Sequence, residues 1–78
     1  MAGKPIPTPS FLDDKESYKV INGRKVWRCL KTDRLYTWDS LHGEIEVFNK
    51  KGNHLGAIDA VSGMHIKDAV KGRSINVK

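Results

Sequence analysis

Along most of the chain apolar and polar residues alternate with the two-residue period of a β-strand, and every helix-length window is broken by a glycine or a turn cluster. Residues 18–21 and 24–30 flank Asn22-Gly23. Asn-Gly is the strongest short-range hairpin signal, because both central positions of a two-residue turn need positive φ. The chain should turn again at 31–33. Residues 34–38, 44–48 and 54–58 then alternate at strand length, the last two separated by the turn stretch 49–53, which predicts an antiparallel meander. A further turn region falls at 59–63, and 74–77 suits a last short strand. Ahead of the sheet, residues 1–10 hold Pro5, Pro7 and Pro9 and read as an extended linker or arm. Ser10, followed by Phe11-Leu12-Asp13-Asp14-Lys15-Glu16, suits an N-cap and one short helix. The fold class is therefore mainly β (α+β), with residues 11–78 as the folded unit.

Length adds a ceiling: 78 residues allow one domain and exclude a two-domain enzyme with a nucleotide-binding half. At 38% hydrophobic residues the core is small, yet well above the disordered regime. The formal net charge of +5 points to an anionic partner, a nucleic acid or an acidic protein. Cys29 is the single cysteine, which excludes an intramolecular disulfide and a cysteine-based zinc site. No apolar run approaches the ~20 residues of a membrane span, and the prolines after Met1 do not suit a signal peptide.

The candidate chemistry lies in Asp39-Ser40-Leu41-His42-Gly43-Glu44-Ile45-Glu46. A strand beginning near His42 puts His42, Glu44 and Glu46 on one face and Gly43, Ile45 and Val47 on the other. An imidazole and two carboxylates on an exposed face, with Asp39 at the preceding turn, supply a general acid and a general base near neutral pH. No serine or cysteine is placed as an activated nucleophile. Gly56 is expected opposite Glu46, leaving room for a substrate backbone. Asp39, His42 and Glu46 also offer donors to a divalent ion, but without the tight paired spacing of a dedicated metal site, so no metal is assigned. His54 and His65 lack carboxylate company in sequence and read as surface or substrate-contact residues. The basic residues are dispersed and recur beside aromatics, which suits RNA phosphate contacts as well as it suits solvated strand edges. Trp27 and Trp38 are assigned to the core.

The run Tyr36-Thr37-Trp38-Asp39-Ser40-Leu41-His42-Gly43-Glu44-Ile45-Glu46 is continued by Gly52-Asn53-His54-Leu55-Gly56-Ala57-Ile58-Asp59, by Gly63 and by Arg73-Ser74-Ile75. Together they resemble the C-terminal cytotoxic ribonuclease domain of colicin E3-type bacteriocins, over residues 24–75. The resemblance implies a small, highly twisted antiparallel sheet with a short N-terminal helix. It implies a toxin of secreted or cell-surface origin that acts in the target-cell cytoplasm. There it cuts 16S rRNA of the ribosome in the decoding site, and in the producer an acidic immunity protein restrains it. Neither DNA, a cofactor nor an integral membrane segment is implied. The family's site falls on Asp39, His42, Glu46 and Arg73, with Glu44 as an accessory carboxylate. Glu46 would be the base, His42 the acid oriented by Asp39, and Arg73 the phosphate clamp. The proline-rich start also suits the toxin tip of a contact-dependent growth inhibition protein. The alternative is a non-catalytic RNA-binding or ribosome-associated β module, in which glutamates facing phosphates would be counterproductive.

Overall fold

In the computed structural model, which describes residues 3–77, the first reversal is at Asn22-Gly23. Both residues have positive φ, 52° and 76°, as a two-residue hairpin turn requires. This turn joins β1 (Glu16–Ile21) to β2 (Arg24–Arg28), and β3 (Leu35–Asp39), β4 (Glu44–Phe48), β5 (His54–Asp59) and β6 (His65–Asp68) follow. Among the described residues, the strands lie in sequence order in one sheet, each antiparallel to its neighbour. The expected meander is thus present. Its last member is His65–Asp68, an exposed run with no clear alternation, whereas the residue 74–77 stretch contributes only an isolated bridge from Ser74 to Asn53. The short helix is a single 3-10 turn, Phe11–Asp14. Ser10 caps it: its Oγ accepts from the Leu12 N–H, and its own N–H donates to Asp13 Oδ2.

The register sorts side chains into two faces. Val26, Thr37, Glu46, Ala57 and Lys67 form one cross-strand row, and Trp27, Tyr36, Val47, Gly56 and Asp68 form the next, which points the other way. On the second face Leu12, Tyr36, Ile45, Val47, Ile58 and Ala60 make the larger core, with Phe11, Trp27 and Trp38 packed against it. Residues 10–14 form its lid: the Phe11 N–H donates to the Ala60 carbonyl at 2.7 Å, and the Phe11 ring meets Tyr36 edge-on. On the first face Val26, Leu35 and Phe48 form a smaller cluster covered by Ile75 and Val77. The carboxylates of β4 lie beside it.

Gly56 pairs with Val47, and Ala57 is the residue opposite Glu46. The glycine serves the next strand instead. Its φ is 137°, and a Cβ there would collide with the Lys67 carbonyl, so Gly56 lets β6 close against an irregular stretch of β5.

Leu12 is 4% exposed and ties the lid to the larger core. Leu12→Ala should cost about 2–5 kcal/mol, read as a lower midpoint in urea. A loss below about 0.5 kcal/mol would mean that the lid is not part of the cooperative core.

Candidate active site

The turn between β3 and β4 is organised by Asp39. Its Oδ1 accepts from the backbone N–H groups of Leu41 and His42 at 3.1 and 3.3 Å, and its carbonyl accepts from the Gly43 N–H at 2.8 Å. Its other oxygen, Oδ2, lies 2.8 Å from Nδ1 of the His42 ring. Partial burial pushes the Asp39 carboxyl up, but the hydrogen bonds and charge of His42 and the Leu41 N–H outweigh it and hold the group below the usual aspartate value. His42 is therefore not part of the strand. It sits in the turn, gripped through Nδ1, with its side chain about half exposed.

Glu46 projects from β4 between the short side chains of Thr37 and Ala57. Each of its oxygens has a partner: Oε2 lies 2.6 Å from Nε2 of His54, and Oε1 accepts from Arg73 at 2.8 Å. The His54 side chain is 2% exposed, and its Nδ1 accepts from the Val70 N–H at 2.9 Å. A ring nitrogen that accepts carries no proton. This fixes the neutral tautomer in which Nε2–H donates to Glu46. The backbone N–H of His54 also donates to the Arg73 carbonyl at 3.1 Å, so one histidine orients the carboxylate and anchors the segment that delivers the arginine. Asp39, His42, Glu46, His54, Lys67 and Arg73 line a single cleft of about 570 Å³.

Glu44 is placed differently. It shares the face of Glu46 but does not line this cleft; its Oε1 binds the Lys67 ammonium at 2.8 Å and raises the lysine pKa. Among the described residues, the donors that come within 4.8 Å of one another are those of Asp39, His42 and Glu44, not the Asp39, His42 and Glu46 set considered from spacing. Asp39 is engaged by His42 and Glu44 by the Lys67 ammonium, so both carboxylates already have partners within the protein.

The family described as Cytotoxic matches residues 8–76. The chain belongs to this family of colicin E3-type cytotoxic domains. It is 40% identical over 53 residues to Colicin E3 and to Cloacin, both of Escherichia coli. That stretch covers 67% of this chain but only 10% and 9% of those proteins, so the chain spans about a tenth of their length.

Within the cytotoxic domain, the structure gathers Asp39, His42, Glu46 and Arg73 at one cleft and sets Glu44 aside as the holder of Lys67. It corrects the reading of His54, which is buried. The available signal was its place at the start of an alternating run directly after a hairpin turn, which brings it back beside Phe48, two residues from Glu46. Lys67 was missed because its strand carries no alternation. His65 is a surface residue paired with Asp68.

Two outcomes follow from this geometry. His54→Ala strips partners from Glu46 and from the Val70 N–H inside the fold and should cost about 2–4 kcal/mol in chemical denaturation, whereas Arg73→Ala, at a half-exposed pair, should cost less than about 1 kcal/mol. Equal losses would contradict the anchoring role of His54. Because the folded-state value of Asp39 is depressed, its contribution is complete above the unfolded value near 3.8 and is lost as the pH falls through the lower folded value. Asp39→Asn should therefore flatten part of the fall in stability between about pH 5 and about pH 2. An unchanged acid limb would contradict the grip of Asp39 on the turn.

Proposed function

We propose that this domain is an endoribonuclease that cleaves 16S rRNA in the decoding site of the ribosome and so stops translation in a target bacterium. The observation that carries this reading is the placing, in one cleft, of an imidazole held through Nδ1 and a carboxylate held in a fixed orientation. Cleavage of RNA by its own 2′-hydroxyl needs a base to take the hydroxyl proton, an acid to protonate the departing 5′-oxygen, and cationic groups around the phosphorane.

Glu46 is the base. Oε2 is committed to His54, so Oε1 is the oxygen that takes the proton. Arg73 covers Oε1 in the free protein, and an arriving phosphate competes for the same guanidinium, uncovering Oε1 while the arginine moves its charge to the phosphate. His42 is the acid: Nδ1–H donates to Asp39, which leaves Nε2–H to protonate the leaving oxygen. Lys67, steered by Glu44, adds a second positive charge at the cleft. The products are a 2′,3′-cyclic phosphate and a 5′-hydroxyl, and no step calls for a metal ion. A non-catalytic RNA-binding module has no use for a carboxylate held this firmly on the phosphate-facing surface.

The domain is then the cytotoxic tip, residues 11–78 with residues 1–10 as the connecting arm, of a secreted or cell-surface toxin acting in the target-cell cytoplasm. Its charge of +5 suits both a ribosomal RNA substrate and an acidic immunity protein that associates by electrostatic steering.

With intact ribosomes and sizing of the rRNA, the wild-type domain should release one discrete fragment, also in chelator on ribosomes whose integrity is verified. His42→Ala and Glu46→Gln should each slow release by roughly 10²–10⁴-fold while remaining folded. A Glu46→Gln domain that cuts at the wild-type rate would remove Glu46 from the mechanism, and activity restored only by a specific divalent ion would overturn the metal-free scheme.

A further inference from the structure

The turn that carries His42 is exposed, and the hydrogen bonds described above for it all run to Asp39, within the turn itself. Among the described residues, one other segment hydrogen-bonds to it. The proline-rich arm crosses its back: the Lys4 N–H donates to the Ser40 carbonyl at 2.8 Å, and the Lys4 carbonyl accepts from the Trp38 indole Nε1–H at 2.8 Å. Both backbone groups of one arm residue are used, and their partners, residues 38 and 40, bracket Asp39. The approach is close: a Cβ added at Gly3 would lie 2.6 Å from the Ser40 Cβ, and one added at Gly43 would lie 2.8 Å from the Lys4 Cδ. At its other end the arm is pinned by the Ser10 cap and by Leu12 in the larger core. Pro5, Pro7 and Pro9 lie between the two anchors and restrict the backbone conformations open to the loose chain, so less freedom is lost when it docks.

We infer that residues 3–7 are a positioning element that holds the Asp39–His42 turn in its proton-donating geometry. Residues 3–7 do not line the cleft and, on the proposed mechanism, do not touch the RNA; they act through Asp39. Its catalytic consequence rests on the reading of His42 as the general acid, while its structural consequence, an ordered turn, does not.

Lys4→Pro removes the N–H that binds Ser40, Trp38→Phe removes the second hydrogen bond while keeping a ring in place, and Lys4→Ala keeps both backbone groups. Hydrogen exchange at the Leu41, His42 and Gly43 amides, with Ile45 and Val47 as internal controls, reports turn order in each full-length variant. Exchange in the turn should accelerate roughly tenfold or more in Lys4→Pro and in Trp38→Phe, with the controls unchanged and Lys4→Ala like wild type. On ribosomes the same two variants should lose roughly 10–100-fold in kcat at unchanged half-saturating ribosome concentration, because misplacement of an acid affects the chemical step and not docking. Wild-type exchange and wild-type kcat in Lys4→Pro and Trp38→Phe would overturn the inference, as would equal acceleration in turn and controls, which marks a merely structural contact. Should the wild-type domain itself leave ribosomes intact, the ribonuclease reading falls, and the exchange measurement still decides whether the arm orders the turn.

Discussion

A carboxylate drawn into a fold until 14% of its side chain remains exposed has to be compensated by protein groups, and for Glu46 that task falls to His54 and Arg73. Much of the site follows from this requirement. The Val70 N–H, donating to Nδ1, selects the tautomer of His54 whose Nε2–H donates to Glu46. That bond, together with the one from the His54 N–H to the Arg73 carbonyl, docks the C-terminal segment on the sheet. The docked segment brings Arg73 to the second carboxylate oxygen, and Ile75 and Val77 to the small cluster of Val26, Leu35 and Phe48. Glu46, its cation and the cover of that face are thus one connected arrangement.

The two faces divide the work. The face under the lid of residues 10–14 holds the larger apolar core, and its neatly alternating residues, Tyr36, Ile45 and Val47, keep the register of β3 and β4. That register places Glu46 in its row, since a slip by one residue would turn both glutamates into the core. His42 is governed by other means, a four-residue turn organised by one aspartate and backed by the arm. Glu46 is thus held by sheet register and His42 by turn geometry.

What could be read from the sequence followed the same division. Asn22-Gly23 and the alternation in residues 34–38 and 44–48 announced the strands, because period-two patterning and positive-φ turn chemistry are local properties. The common face of Glu44 and Glu46 was legible for the same reason. His42 was placed at the start of the strand when it belongs to the turn, since alternation does not reveal that Asp39 captures two backbone N–H groups. His54 and Lys67 depend on which strand lies beside which. The pairing of Phe48 with His54 crosses a register shift, and β6 is an edge strand whose exposed residues carry no alternation. The arm looked like a linker because a polyproline-like segment docks through its backbone, which leaves little trace in side-chain pattern.

In the proposed mechanism the RNA supplies its own nucleophile, and Glu46 takes that nucleophile's proton. End-group analysis of the fragment released from ribosomes tests it most directly. With the 2′-hydroxyl as nucleophile, one side of the cut should carry a 2′,3′-cyclic phosphate and the other a 5′-hydroxyl. A 3′-hydroxyl with a 5′-phosphate would show that water, not the 2′-hydroxyl, attacks the phosphorus, and would contradict the roles assigned to Glu46 and His42.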